Sequence, residues 1–150
     1  MREIHGLTQL EELVGQELGV SRWHTVTQDQ VLAFAAATGD QQWIHVDPVA
    51  AAAGPFGRTV AHGYLTLSMI PFLTKQVYRV VGLRMVVNYG LNKVRFPNPV
   101  PVGSQVRDRL TLLSVTESER GHQAVIGHRI EVDTPDRIAC VAETVSLLVK

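Results

Sequence analysis

An aspartate and a histidine five residues apart, Asp40 and His45, are the residues of this sequence best suited to chemistry. They lie in the segment 38–48, which has the composition of a loop. A carboxylate beside an imidazole can take a proton from water and return one elsewhere, and histidine exchanges protons near neutral pH. Taken alone, this common spacing favours a structural explanation, in which Asp40 is a turn residue after Gly39 and His45 packs near Trp43.

A second candidate group is Gly63, which follows Ala61 and His62 and precedes a long apolar stretch. A glycine at a helix start lets a ligand approach the backbone, and the first amides of a helix have no partner within it. The amide of Gly63 can therefore hold a developing oxyanion, such as the oxygen of a thioester. The alternative is an ordinary helix-start glycine with His62 beside the core. Together with Asp40 and His45, this amide would suffice to add water to an activated double bond.

Other reactive residue types have weaker patterns. His45, Asp47 and His62 are possible metal ligands, but they lack tight ligand spacing, and Asp47 suits a helix cap better, so no metal site is expected. Ser68 and Cys140 are nucleophiles by residue type only, and Cys140 lies in an apolar strand, where a thiol is usually inert.

Four basic residues are candidates for contacts with phosphates: Lys93, Arg95, Arg58 and Arg84. The alternation in Lys93-Val94-Arg95 places two of these charges on one face of a strand. A solvated strand face explains them equally well.

Composition limits the class of protein. The 150 residues, of which 45% are hydrophobic and 19% charged, predict a single domain spanning residues 1–150. A net charge of zero gives no electrostatic reason to expect a nucleic-acid or membrane partner. The single cysteine, Cys140, cannot form an internal disulfide, and residues 1–20 lack an apolar signal region, so we expect a cytoplasmic protein.

The order of elements predicts an α+β fold. Helices are expected first and four apolar strands afterwards, with a short strand near the start. Pro71 should bend or interrupt the longest helix, and residues 40–47 should be irregular. The predicted helices are 8–14, 27–37, 48–53 and 63–80, and the predicted strands are 18–26, 84–96, 105–116, 123–132 and 138–149. Such an order indicates an antiparallel sheet packed on one buried helix.

Three motifs in sequence order resemble those of the MaoC-like dehydratases, which include the (R)-specific enoyl-CoA hydratases. They are Thr38-Gly39-Asp40-x4-His45-x-Asp47-Pro48, Ala61-His62-Gly63 and Val94-Arg95-Phe96-x2-Pro99-Val100-x2-Gly103. The resemblance spans roughly residues 10–145. It implies a hot-dog fold, in which a curved antiparallel sheet wraps around a long central apolar helix. It also implies a homodimer with the acyl-CoA tunnel at the subunit interface.

The resemblance assigns roles to the candidate residues. Asp40 and His45 would activate a water that attacks C3 of a trans-2-enoyl thioester, and the amide of Gly63 would hold the thioester oxygen. A serine of some relatives corresponds most nearly to Ser68, whereas a second family serine position is Pro71 here. The residues implied to line the tunnel, with Arg95 near the CoA, are Thr59, Val60, Ala61, His62, Ser68, Val86, Val87, Asn88, Tyr89 and Arg95.

The expected function is therefore that of a lyase without a cofactor. It would add water reversibly to enoyl thioesters of CoA or acyl-carrier protein in fatty-acid metabolism. Two alternatives remain open from the sequence, a hot-dog acyl-CoA thioesterase and a non-catalytic acyl-thioester-binding subunit.

Overall fold

A computed structural model describes residues 1–150. The first part of the chain contains short elements: β1 (Arg2–His5), α1 (Gly6–Glu11), β2 (Glu17–Val20), β3 (His24–Thr25), α2 (Gln28–Thr38), α3 (Trp43–Val46) and α4 (Pro48–Ala52). The remainder contains α5 (Gly63–Ser68), α6 (Ile70–Val77), β4 (Tyr78–Val81), β5 (Met85–Arg95), β6 (Gln105–Ser118), β7 (Gly121–Val132) and β8 (Ile138–Val149). None of the helices is long and apolar enough to cross a membrane.

Helix α2 begins and ends as its local sequence predicts. The hydroxyl of Thr27 accepts a hydrogen bond from the backbone N–H of Gln30 at 3.2 Å, which caps the first turn. At the other end Gly39 adopts a left-handed conformation with φ of 81°, and its N–H donates to the carbonyl of Ala35. This cap fixes the direction in which the chain leaves α2 towards Asp40.

Residues 40–47 were expected to be irregular, but α3 forms a single helical turn within them. Asp47 then caps α4, as predicted, since its Oδ1 accepts hydrogen bonds from two backbone N–H groups of that helix at 3.1 and 3.0 Å. Asp47 is thus the single residue between α3 and α4.

The helix predicted over residues 63–80 is interrupted close to Pro71, as the proline predicted, and it ends earlier than expected, at Val77. Two helices, α5 and α6, meet at Met69, and Pro71 lies in the first turn of α6. Proline has no N–H to donate, so it is tolerated in a first turn and not in a helix interior. The backbone is already extended at Tyr78, where β4 begins. The outer faces of the helices are also exposed, at Tyr64 and Phe72.

Two predictions near the start of the chain are corrected as well. Helix α1 begins earlier than the expected 8–14, because its cap is His5, whose N–H donates to the side-chain oxygen of Gln9. The expected strand 18–26 is divided into β2 and β3, which pair with different parts of β6.

The main sheet has the order β2-β6-β7-β8-β5, with β3 also on β6, and all its pairings are antiparallel. Strands β1 and β4 form a separate parallel pair. The four long strands agree with their predicted positions to within a few residues. The sheet curves around α5 and α6, and this is the α+β hot-dog architecture that was expected.

The core lies between the sheet and these two helices. Its buried side chains include Leu65, Met69, Ile70 and Leu73 on the helices and Val106 and Ile130 on the sheet. A second cluster packs Leu110, Leu112, Ile126 and Leu148 of the sheet against the start of the chain, at Ile4, Leu7 and Leu10. By contrast, β5 forms one edge of the sheet and exposes large apolar side chains: Met85, Val86, Val87, Tyr89 and Leu91.

Candidate active site

Three segments bring Asp40, His45 and His62 together. Asp40 follows the cap of α2, His45 lies in α3, and His62 immediately precedes α5. One side-chain ligand atom of each residue lies within 4.8 Å of those of the other two. The predicted pair therefore meets in space, and His62 joins it.

His45 is held in one orientation and one protonation pattern. Its ring is 7% exposed, and Nδ1 lies 2.6 Å from the carbonyl oxygen of Val60. Because a carbonyl oxygen only accepts, Nδ1 must carry the proton, and Nε2 of the neutral ring then keeps its lone pair. The backbone carbonyl of His45 accepts from the side chain of Gln28 at 2.8 Å, and Gln28 accepts in turn from the hydroxyl of Thr59. His45 thus presents a fixed base.

His62 packs against the ring of His45. Its ring is 2% exposed and stacks on that of His45, with centroids 3.8 Å apart and an interplanar angle of 25°. Its Nε2 donates to the backbone carbonyl of Asp40 at 2.9 Å, which ties the end of α2 to the start of α5. Its Nδ1 has no hydrogen-bond partner. The sequence suggested His62 as a tunnel residue, a core neighbour or a possible metal ligand, and it did not predict this contact with His45.

Asp40 is the exposed member of the group. Its only side-chain hydrogen bond is a long one, 3.4 Å, from the backbone N–H of Gln42, and it makes no salt bridge. Its carboxylate is therefore available to a water molecule or a ligand.

Gly63 has the free amide that an oxyanion site requires. As the first residue of α5 it has no acceptor within the helix, and its N–H makes no other hydrogen bond. A Cβ at this position would lie 2.9 Å from the ring of Phe96. Glycine is thus required by the close approach of that ring, and this contact joins the second sequence motif to the third.

Asp40, His45 and His62 also have the residue types of a metal site. A metal ion bound by imidazole lies in the plane of the ring, along the lone pair of the nitrogen. The rings of His45 and His62 are stacked nearly parallel, so their planes do not meet near both nitrogens. The present arrangement therefore suits proton transfer better than metal coordination.

A cavity of about 750 Å³ lies between the two central helices and the sheet. Four of the residues expected in the tunnel line it: Ser68, Val86, Asn88 and Tyr89. The hydroxyl of Ser68 donates to the carbonyl of Tyr64 at 2.7 Å, so it is already used within α5.

The other expected tunnel residues lie elsewhere. Thr59, Val60 and Ala61 are buried beside His45, while Val87 and Arg95 are exposed on the edge strand. Their contact with a substrate stays a prediction.

The remaining candidates have structural explanations. Burial raises the pKa of the Cys140 thiol to about 11, and its side chain is inaccessible. Lys93 lies 3.9 Å from Glu143, on the same strand face as Arg95, as the alternation predicted. Arg58 donates to the carbonyl of Val102 at 3.4 Å.

Comparisons with known proteins agree with the fold. Residues 9–133 match the family model for the MaoC like domain, and the chain belongs to this family of dehydratases. It is 50% identical over 146 residues to 3-hydroxyacyl-thioester dehydratase Z of Mycobacterium tuberculosis, covering 97% of each chain.

Solved structures of two hydratases share this fold. The (R)-hydratase of A. caviae superposes with a TM-score of 0.73 at 27% identity, covering 90% of this chain and 96% of that one. The R-hydratase of Pseudomonas aeruginosa superposes with a TM-score of 0.74 at 22% identity, covering 91% and 82%. The resemblance drawn from the three motifs is confirmed.

Proposed function

We propose that this single-domain protein is an (R)-specific enoyl-CoA hydratase, which is also a (3R)-3-hydroxyacyl-thioester dehydratase, and hence a lyase. The observation that carries the proposal is the cluster of Asp40, the fixed base His45 and His62, with the free amide of Gly63 next along the chain from His62. The names of the similar dehydratase and hydratases support the reaction class.

In the hydration direction, Nε2 of His45 takes a proton from a water molecule that the carboxylate of Asp40 helps to orient. The oxygen of this water forms a bond to C3 of the enoyl thioester, and the electron pair of the double bond moves to give an enolate. The imidazolium is stabilised by the carbonyl of Val60 at Nδ1 and by the negative charge of Asp40.

The negative charge of the enolate develops on the thioester oxygen. The N–H of Gly63 donates to that oxygen, and one such donor contributes about 3 kcal/mol to the stability of the transition state. The Asp40–His45 pair then returns the proton to C2, which yields the 3-hydroxyacyl thioester. Dehydration is the same sequence in reverse.

The acyl group would extend from Gly63 into the cavity along α5. Ser68, five residues along that helix, lines the cavity, and a rise of 1.5 Å per residue separates the two positions by about 7.5 Å. The pantetheine arm, which CoA and acyl-carrier protein share, would leave in the opposite direction, with Arg95 available to a phosphate.

Hydration of a trans-2-enoyl-CoA tests the proposal. The loss of absorbance of the enoyl thioester is followed while free thiol is measured in parallel. Hydration without thiol release is expected. Thiol release would identify a thioesterase, and the absence of both signals across chain lengths would indicate a binding subunit; either result contradicts the proposal.

The catalytic pair is tested by Asp40→Asn and His45→Gln. Each should lower kcat by about 10²- to 10⁴-fold with little change in KM, because both groups act mainly in the transition state. Asp133→Asn and His5→Gln change the same residue types at exposed positions and should retain full activity. Near-native kcat in either test variant would remove that residue from the mechanism.

We also infer that two copies pair through β5. The outer edge of this strand has unpaired backbone groups, and its large apolar side chains are exposed, which is a combination that favours strand association. Light scattering should give a dimer for the natural chain and a monomer for Val87→Glu. Val49→Glu, at an exposed position on α4, should remain a dimer. A monomeric natural chain would refute this inference.

A further inference from the structure

Three neighbouring strands contribute to a hydrogen-bonded chain of side chains that the reaction does not use. Asp108 on β6 accepts from Nδ1 of His128 on β7 at 2.7 Å, and Nε2 of His128 lies 2.9 Å from the hydroxyl of Thr144 on β8. Asp108 is 0% exposed and His128 is 3% exposed. We refer to Asp108, His128 and Thr144 as the sheet triad.

The sheet triad ends at the cavity. His128 and Thr144 line it, whereas Asp108 lies behind them. Ser146, two residues along β8, also lines the cavity, and its hydroxyl makes no hydrogen bond within the protein. The surrounding wall is mixed: Leu10, Ile70, Pro71 and Leu91 line it together with Thr74, Lys75, Arg79 and Asn88. On β7 and β8, the strands that carry His128 and Thr144, the other lining residues besides Ser146 are apolar: Ala124, Ile126, Val145 and Leu148.

Stability alone is a poor reason for the sheet triad. Withdrawing a carboxylate and an imidazole from water costs several kcal/mol, and apolar replacements of buried ion pairs are often neutral or stabilising. Asp108 also has one carboxylate oxygen, Oδ1, without a hydrogen-bond partner. An apolar core at these positions would avoid both costs.

The hydrogen-bonding capacity of Thr144 indicates what the sheet triad can recognise. With neutral His128, Nδ1 donates to Asp108, so Nε2 accepts the proton of the Thr144 hydroxyl, whose oxygen remains free to accept. With protonated His128, Nε2 donates to Thr144, whose proton is then free to be donated. A ligand hydroxyl can donate or accept, so it fits both states, whereas an alkyl chain would leave Thr144 without its second partner.

We propose that the sheet triad, presented through Thr144, binds a hydroxyl group on the distal part of the acyl chain, so that the substrates are hydroxylated acyl thioesters. This inference rests on the proposed function for the identity of the thioester. The hydroxyl concerned is distinct from the one formed at C3, because Leu67, the first residue of α5 that lines the cavity, lies four residues and hence about 6 Å along the helix from Gly63.

A nucleophilic role for Thr144 fits the structure less well. Strand β8 is paired on both sides, with β7 and with β5, so the amides around Thr144 belong to the sheet ladders. An acyl-enzyme at this position would lack the oxyanion donors that acyl transfer needs. The Thr144 hydroxyl is therefore assigned to binding.

Calorimetry with unreactive ligands tests the proposal. Saturated acyl-CoA and the corresponding ω-hydroxyacyl-CoA are compared at each of a series of chain lengths. At the length that places the hydroxyl at Thr144, we expect the hydroxylated ligand to bind about tenfold more tightly or better, which corresponds to about 1.4 kcal/mol.

Three variants separate recognition from structure. Thr144→Val keeps the shape of the side chain but removes its hydroxyl, and it should reduce the preference to about one. Thr144→Ser should keep the preference. Thr111→Val removes a hydroxyl from the opposite face of β6, between the buried Leu110 and Leu112, and should leave the preference unchanged. Thermal unfolding of each variant verifies that it is folded.

The outcomes distinguish the two proposals. Equal affinity for both ligands at every length, or a preference that survives in Thr144→Val, would overturn the sheet-triad proposal. If the natural chain hydrates unsubstituted enoyl-CoA yet shows no preference, only the sheet-triad proposal fails. If it binds hydroxylated ligands preferentially but hydrates no enoyl-CoA, the proposed function fails and recognition by the sheet triad is upheld. Thiol release that Thr144→Val abolishes would show a nucleophile and overturn the binding role.

Discussion

Replacing Gly63 by alanine should damage catalysis without unfolding the protein. The new Cβ would lie 2.9, 3.1 and 3.1 Å from three atoms of the Phe96 ring. Ordinary carbon contacts begin at 3.4 Å, so the ring or the start of α5 must move by about 0.5 Å. Alanine has a higher helix propensity than glycine, so the backbone itself gives no reason for a loss of stability.

The size of the effect follows from the role of the amide. Complete loss of one oxyanion donor costs about 3 kcal/mol, or roughly 10²-fold in rate. A shift of about 0.5 Å weakens the hydrogen bond without abolishing it, so we expect kcat for enoyl-CoA hydration to fall by about 10- to 100-fold, with little change in KM.

A double variant tests whether the contact with Phe96 causes the lower kcat of Gly63→Ala. Phe96→Ala removes the ring that the new methyl group meets, so Gly63→Ala combined with Phe96→Ala should be several-fold more active than Gly63→Ala alone. Steady-state hydration rates of the natural chain, both single variants and the double variant complete the cycle. Native kcat in Gly63→Ala would refute the expected displacement of this amide, because it would show that the Phe96 ring moves instead. A double variant no better than Gly63→Ala would refute the contact with Phe96 as the cause.

Three further predictions concern stability and reactivity. Asp47→Ala removes both side-chain hydrogen bonds that cap α4 and should lower the free energy of unfolding by about 1 kcal/mol, measured in urea; an unchanged urea midpoint would contradict this role. The buried Cys140 should not react with a thiol reagent at pH 8 until the protein unfolds, and rapid labelling of the native chain would disprove its burial. Its pKa of about 11, against 9.0 for a free thiol, means that the unfolded chain loses this proton first as the pH rises. Stability should therefore fall between about pH 9 and 11, and less so in Cys140→Ala.

Local sequence was sufficient wherever a few neighbouring residues determine the structure. Thr27 and Gly39 mark the ends of α2 through hydrogen bonds to residues three or four positions away, and Asp47 caps α4 in the same way. The long strands were equally predictable, because runs of β-branched and aliphatic residues were separated by clear turn signals. The three motifs, read together, identified the family and with it the hot-dog fold.

Local pattern failed where two structures compete for the same residues. The apolar stretch after Gly63 favours a helix throughout, yet the missing N–H of Pro71 makes a new first turn the more stable solution, and pairing with β1 makes Tyr78 extended. The proline thus predicted the interruption, whereas the end of α6 before Tyr78 depends on the pairing of β4 with β1.

The family, the order of the long strands and the candidate residues Asp40, His45 and Gly63 could therefore be read from the chain alone. The tertiary structure decided which nitrogen of His45 carries the proton, since that depends on the carbonyl of Val60, fifteen residues away. It also stacked His62 beneath His45 and joined Asp108, His128 and Thr144 across three strands. The physical reason is the same in each case: a hydrogen bond or a ring contact depends on atoms that the folded sheet brings together from distant parts of the chain, and no local spacing encodes that meeting.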